Sequence, residues 1–278
     1  MLRPIIGLLA FTLLSPAHAA ESYDNCTGTI ASLPATISSQ GTWCLTTNLS
    51  TSITTGAAIT IAANNVTIDC NDFKVGGLAA GVGTDAVGVA TNSLNATIRR
   101  CGIRGFREGI QLGALSSGAL IENNRLDQNT AAGLTADGSG HVIRFNRIVD
   151  TGGRPASSQT DGIVCTADGS QVTDNTIVGM TVTADAGNVV GITATGNASE
   201  VARNYITGLV ADDTGTPFGI ITGASVGSSI HRNQLLSFPD NNGTAITSTI
   251  DNQCGNNNHT GWDSGIVGCA DAGGNFGN

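Results

Sequence analysis

One short phrase, apolar-x-x-Asn-x-apolar, returns along this chain and limits its fold more than any other feature. Ile68 leads to Asn71 and Phe73, Ile121 to Asn124 and Leu126, and Ile143 to Asn146 and Ile148. Val172 leads to Asn175 and Ile177, Val201 to Asn204 and Ile206, and Ile230 to Asn233 and Leu235. In the copy from Ile98 to Ile103, Cys101 stands at the Asn position. Successive copies start 30, 23, 22, 29, 29 and 29 residues apart. A second phrase follows each copy: Gly109-Ile110, Gly133-Leu134, Gly162-Ile163, Gly191-Ile192, Gly219-Ile220 and Ala245-Ile246. Val87-Gly88-Val89 is the nearest match in the first unit.

Each unit therefore reads strand, Asn corner, short strand, variable loop, Gly-Ile strand, small turn. Three short strands cannot bury an apolar face alone, but stacked units can. Stacking sets equivalent residues about 4.8 Å apart. The Asn column is then expected to form a ladder of side-chain amides. A second column lies two residues before each apolar position: Ala96, Ala119, His141, Ser170, Ser199 and Ser228. Its mostly small residues fit a tight inward corner. The expected fold class is all-β, a single-stranded parallel solenoid of about seven turns over residues 57–250.

Composition narrows the function. Charged residues make up 12% of the chain, half the usual share or less, which excludes a coiled coil or a charged disordered tail. Lys74 is the only lysine. Beyond residue 19 there are 11 basic and 21 acidic residues, a net charge near −10. Phosphate backbones and anionic membranes recruit clustered Lys and Arg, so neither nucleic acid nor membrane insertion is expected. The 38 glycines lack the every-third spacing of collagen.

The Asn column, the Gly-Ile column and the opening Asn65-Val66-Thr67-Ile68-Asp69-Cys70-Asn71 resemble the right-handed parallel β-helices of the pectate-lyase-like superfamily. The resemblance implies a right-handed coil. It also implies a polysaccharide or cell-surface glycan as partner, bound or modified along the Gly-Ile sheet beside the loops that precede it. Enzymes of that superfamily are lyases, hydrolases and epimerases. Their signatures are missing here: there is no Asn-Thr-Asp with Gly-His-Gly and no Asp-Pro-His-Asp, and Gly153-Arg154-Pro155 is only a fragment of an arginine motif.

Residues 1–19 read as a cleaved signal peptide: Arg3, the apolar Ile5–Leu14, then Ala17-His18-Ala19. That predicts a secreted or periplasmic protein. Exposed end coils need covers. Residues 20–56 and 251–278 are the expected caps, closed by Cys26–Cys44 and Cys254–Cys269 and carrying Trp43 and Trp262. Seven cysteines leave at least one unpaired among Cys70, Cys101 and Cys165; Cys165 is expected to be the free, buried one.

The outward positions after each Gly-Ile are Gln111, Thr135, Val164, Thr193, Ile221 and Thr247. None titrates, and general acid–base catalysis needs a proton carrier. Glu108 and Asp161 each immediately precede a Gly-Ile, two turns apart, so stacking sets them roughly 9 to 10 Å from each other. That is the wide end of an inverting glycosidase pair. The candidate catalytic residues are Glu108, Asp161 and Arg154. The candidate substrate-binding residues are Arg107, Gln111, Thr135, Thr193, Phe218 and Thr247, with Phe106 and Phe238 as further junction aromatics. The distance from Asn position to Gly grows from 8 and 9 residues in the Cys101 and Asn124 turns to 16, 16 and 15 in the next three. Function is expected beside these longer loops. No cofactor is expected. Ca²⁺ is the one metal considered, from Asp185, Asp212, Asp213 and Asp240, and no ligand motif supports it. The alternative to an enzyme is a non-catalytic module that binds glycan through its threonine-rich sheet.

Overall fold

The computed structural model describes residues 25–155, 157–183, 187–212, 214–237 and 243–277. All pairing between strands is parallel, in three sheets of eleven, ten and ten strands. Each coil contributes one strand to each sheet. The strands before the Asn corner form the first sheet, such as Leu120–Glu122 and Val142–Arg144. Those after it form the second, such as Arg125–Asp127 and Arg147–Val149. The Gly-Ile strands form the third, including Glu108–Leu112, Ala132–Ala136, Gln159–Cys165 and Asn188–Ala194. The stack also runs through both end segments, from Gly28–Ile30 to Phe276–Gly277. Residues 1–24, which include the expected signal peptide, lie outside the described residues.

The core is a column of aliphatic side chains. Ile98, Ile121, Ile143, Val172, Val201 and Ile230 are fully buried and stack in register. At the corner that follows, Asn146 donates its Nδ2 to Asn175 Oδ1 at 3.1 Å and to the Ile121 carbonyl at 2.9 Å. Its backbone N–H also donates to Asn175 Oδ1, at 3.0 Å. This pattern repeats from Asn124 through Asn175, Asn204 and Asn233 to Asn257 and Asn275. Asn257 and Asn275 extend the column beyond its expected end. Cys101 keeps the backbone half of the rung, its N–H donating to Asn124 Oδ1, while its sulfur is joined to Cys70.

The residue before each rung has a left-handed backbone: Arg100, Asn123, Phe145, Asp174, Arg203, Arg232 and Asn256 lie at φ 52–57°. That conformation costs a non-glycine residue roughly 1 kcal/mol or more, and the amide ladder offsets it. The inward small-residue corner is a ladder too. Ala119 N–H donates to His141 Nδ1, His141 N–H to Ser170 Oγ, Ser199 N–H to Ser228 Oγ and Ser228 N–H to Asn252 Oδ1. His141 Nδ1 is therefore an acceptor. Its Nε2 lies 2.8 Å from the Asp137 carbonyl and carries the ring proton. Burial holds its pKa below the ordinary histidine value.

In the third-sheet strands from Val87–Thr91 to Pro217–Ile221 a glycine precedes the inward aliphatic residue because the next coil leaves no room for a Cβ. A methyl on Gly109 would sit 2.6 Å from the Gly133 carbonyl oxygen, and one on Gly191 2.6 Å from that of Gly219. Cys26–Cys44 and Cys254–Cys269 are disulfides, as is Cys70–Cys101. Cys165 is free and buried in the inward column of Leu112, Ala136 and Ala194. Desolvation pushes its thiol pKa up, the state of an inert core sulfur rather than a nucleophile.

Candidate functional site

The third sheet presents two outward columns. One runs Gln111, Thr135, Val164, Thr193, Ile221, Thr247, with Thr60 and Ala90 beneath Gln111. The other runs Val87, Glu108, Ala132, Asp161, Val190, Phe218, Thr244. Glu108 and Asp161 therefore share a column with only Ala132 between them. Phe218 stands two coils beyond Asp161, half-buried.

Both acids are nearly covered, Glu108 at 5% and Asp161 at 9% exposure, and both are held by the neighbouring column. Thr135 Oγ1 donates to Glu108 Oε2 at 2.5 Å, Gln111 Nε2 donates to the same oxygen at 3.3 Å, and Arg107 pairs with Oε1 at 3.0 Å. Two coils on, Thr193 Oγ1 donates to Asp161 Oδ1 at 3.0 Å and Gln159 Nε2 bridges both carboxylate oxygens at 3.0 and 3.1 Å. Thus an acid on one coil fixes a threonine on the next, twice. The two sites differ in charge compensation. Glu108 has a guanidinium partner, whereas Asp161 has only neutral donors, and burial lifts its pKa to about 6. The hydroxyl hydrogens of Thr135 and Thr193 point at carboxylates, so their outward lone pairs are acceptors.

Arg154 goes elsewhere. Its guanidinium donates to the Thr84 carbonyl at 2.5 Å and pairs with Asp85 at 2.8 Å. Asp85 precedes the strand Val87–Thr91, three strands below Gln159–Cys165 in the sheet. The loop carrying Arg154 is thus a strap, pinned back across the approaches to the Glu108 and Ala132 strands. Arg107 stays with Glu108. Phe106 is fully buried, packed where side chains on Gly77 and Gly88 would otherwise stand. Thr247 lies four coils beyond Thr135 in its column. At the far ends of the same strands, Thr60, Ala90, Asn92, Ser93, Gln111 and Gly113 line a cleft of about 410 Å³. The sequence reading missed it because it depends on how the short turns after the strands recede.

Asp168 Oδ1 accepts from Asn197 N–H, and Asp137 Oδ1 from Thr166. Both link one coil to the next. Among the described residues no three His, Cys, Asp or Glu side chains gather as a metal site. Asp185, Asp213, Phe238 and Asp240 lie outside the described residues.

The fold and the site can now be set beside known proteins. The family model described as "Right handed beta helix region" matches residues 35–208, more than half of the chain. The chain belongs to the right-handed β-helix family. The search of curated proteins finds no match to it. Among solved structures, this β-helix is similar to the tailspike protein of E. coli bacteriophage HK620 in complex with pentasaccharide. The TM-score is 0.55 and the identity 11%, over 92% of this chain and 60% of the tailspike. It is also similar to the Dettilon tailspike, with TM-score 0.49 and 16% identity over 89% and 56% of the two chains. A further match is the A-module of the Azotobacter vinelandii mannuronan C-5 epimerase AlgE6, with TM-score 0.45 and 14% identity over 90% and 80%. The β-helix thus spans 56% to 60% of the length of these tailspikes. Its three disulfides mark it as extracytoplasmic.

Proposed function

We propose that this β-helix binds polysaccharide along the outward face of its third sheet. The observation that carries the reading is the paired arrangement of Glu108 with Thr135 and Asp161 with Thr193. Each carboxylate orients a threonine so that its oxygen accepts, which suits the hydroxyl donors of a sugar. Gln111, Arg107 and Thr247 extend the polar surface, and Phe218 adds an aromatic edge. The HK620 tailspike, of the same fold, was solved with a pentasaccharide, which supports a glycan as ligand class. Residues 1–19 would export the protein to where such a ligand is met.

Binding of oligosaccharides is tested by isothermal titration with wild type, Thr193→Lys and Thr135→Lys. The lysine variants are expected to lose at least tenfold in affinity. Unchanged affinity in both would remove this face from the binding site.

A second reading, hydrolysis, is favoured by one observation, the pKa of Asp161 near 6 beside an ion-paired Glu108. Asp161 would give a proton to the leaving glycosidic oxygen while Glu108 takes one from the attacking water. Release of reducing ends should then fall at least a hundredfold in Glu108→Gln and Asp161→Asn. Absence of any release by wild type leaves the binding reading alone.

A further inference from the structure

The Asn corner, where the first and second sheets meet, carries the opposite charge to the rest of the molecule. Beyond residue 19 the chain has 11 basic and 21 acidic residues. Seven of the basic ones, from Lys74 to Arg147, lie on the strands or the shared corner of these two sheets, in four successive coils. The same surface has four acids, Asp69, Asp72, Glu122 and Asp127. The remaining positions beyond residue 19 hold four basic residues and 17 acidic ones.

Pairing leaves this excess in place. Asp69 is shared by Arg99 and Arg100, and Asp127 by Arg125 at 3.4 Å and Arg104 at 3.8 Å, so each carboxylate answers two guanidiniums. Glu122 balances Arg144. Lys74 and Arg147 are exposed, in one outward column with Arg125, and neither has an ion pair among the described residues. Stacking sets these two about 14 Å apart. Ions screen charge over about 8 Å at physiological strength. The excess therefore acts locally, and the net charge of the chain does not cancel it.

Phe145 stands at the apex of this corner. It is 52% exposed and held at φ 55°, with the Arg144 guanidinium 5.7 Å from its ring centre. The equivalent residues of the adjacent coils are Asn123 and Asp174. A bulky apolar ring raised among cations, at a backbone cost, has the makings of an interfacial anchor. The surface is a convex ridge, as a solenoid corner has to be. Its recess at Gly102, about 230 Å³, is lined by Asp72 and Asp127 as well as by Lys74 and Arg125, so it is no dedicated pocket for one anion. The charge belongs to the whole ridge and calls for an extended anionic partner that yields to an aromatic ring.

We infer that this corner docks the protein on the surface of an anionic lipid bilayer, with Lys74, Arg125 and Arg147 among the headgroups and Phe145 reaching below them. The docking is peripheral: the cations draw the ridge to the lipid phosphates, and no segment crosses the bilayer. The third sheet faces another way, so docking is independent of any ligand held there.

The test is co-sedimentation of the full chain with sugar-free vesicles, either pure phosphatidylcholine or an equal mixture with phosphatidylglycerol. The mixed vesicles should carry the protein down, the neutral ones should not, and about 0.5 M salt should release it. Lys74→Gln and Arg147→Gln remove unpaired side chains, so each should keep the urea midpoint and weaken partitioning about fivefold. Glu122→Gln frees Arg144 and should strengthen partitioning about fivefold, a gain that no structural role produces. Phe145→Trp should bind as wild type does, and its added emission should move to shorter wavelength on the mixed vesicles. Equal binding to both vesicles, or none, would overturn the inference. So would binding unmoved by salt or by all three charge variants, or an emission from Phe145→Trp that does not shift. Tighter binding to inorganic polyphosphate than to the mixed vesicles would also overturn it, by assigning the ridge to a dissolved polyanion.

Discussion

The two corners that flank the second sheet obey opposite rules. At the Asn corner every coil turns in the same few residues, every amide is bonded to its neighbours above and below, and nothing is spare. At the opposite corner the loops differ in length from coil to coil. Buried hydroxyls there stand unpaired on Thr130, Thr151 and Thr160, a strap reaches across three strands, and a cleft opens. The fold is held from one side, which frees the other to vary. Variable loops on a rigid scaffold are where binding sites arise.

The sharpest test of this division is Asn175→Ala. It removes the acceptor used by Asn146 and the donor used by Ile143 and Asn204, stranding buried groups on the coils before and after its own. The expected loss is on the order of 4 kcal/mol in urea unfolding. Arg154→Ala at the other corner breaks one ion pair and one backbone contact and should cost about 1 kcal/mol. Comparable losses at both corners would end the comparison.

Next in size is Asp161→Asn, and it goes the other way. With its native pKa raised from 3.8 to about 6, Asp161 favours folding while protonated. That contribution is complete below pH 3.8 and is lost as the pH rises through about 6. At pH 7 the ionised native state bears a penalty of about 3 kcal/mol at most, which Asn removes. Asp161→Asn should therefore unfold at a higher temperature than wild type at pH 7, with the gap closing toward pH 4. Equal pH profiles would show Asp161 to be an ordinary surface acid.

Gly191→Ala should cost about 2 kcal/mol, since its methyl would press on the Gly219 carbonyl. Smallest is Phe145→Gly, which relieves a left-handed phenylalanine at φ 55° that is half exposed. A gain of about 1 kcal/mol is expected, less the stacking of Arg144 on its ring. A loss there would mean that the corner tolerates its strain for packing rather than through the amide ladder.

The columns were legible because stacking turns sequence period directly into spatial register. Asn124 to Asn233, the Gly-Ile glycines, and the placing of Glu108 and Asp161 on one face all followed from counting. Asn257 and Asn275 were hidden in an Asn-rich segment where the apolar frame fades. The small-residue column was read as a packing corner, since nothing in Ala119, His141 or Ser170 announces a ladder. The backbone N–H groups that the side chains accept from became visible only in register.

Sequence alone determined the architecture, because a repeat that cannot bury its own face has to stack on its copies. It also placed two acids in one column. Tertiary structure decided what those acids do: Thr135 and Thr193 come from the following coils, and burial without a guanidinium lifts Asp161 alone. It decided that Arg154 bonds to Asp85, 69 residues away, and that Cys70 pairs with Cys101. The Arg154 contact depends on the path of a loop outside the repeat, which no period in the sequence encodes, whereas Cys70 and Cys101 meet at the Asn corners of successive coils.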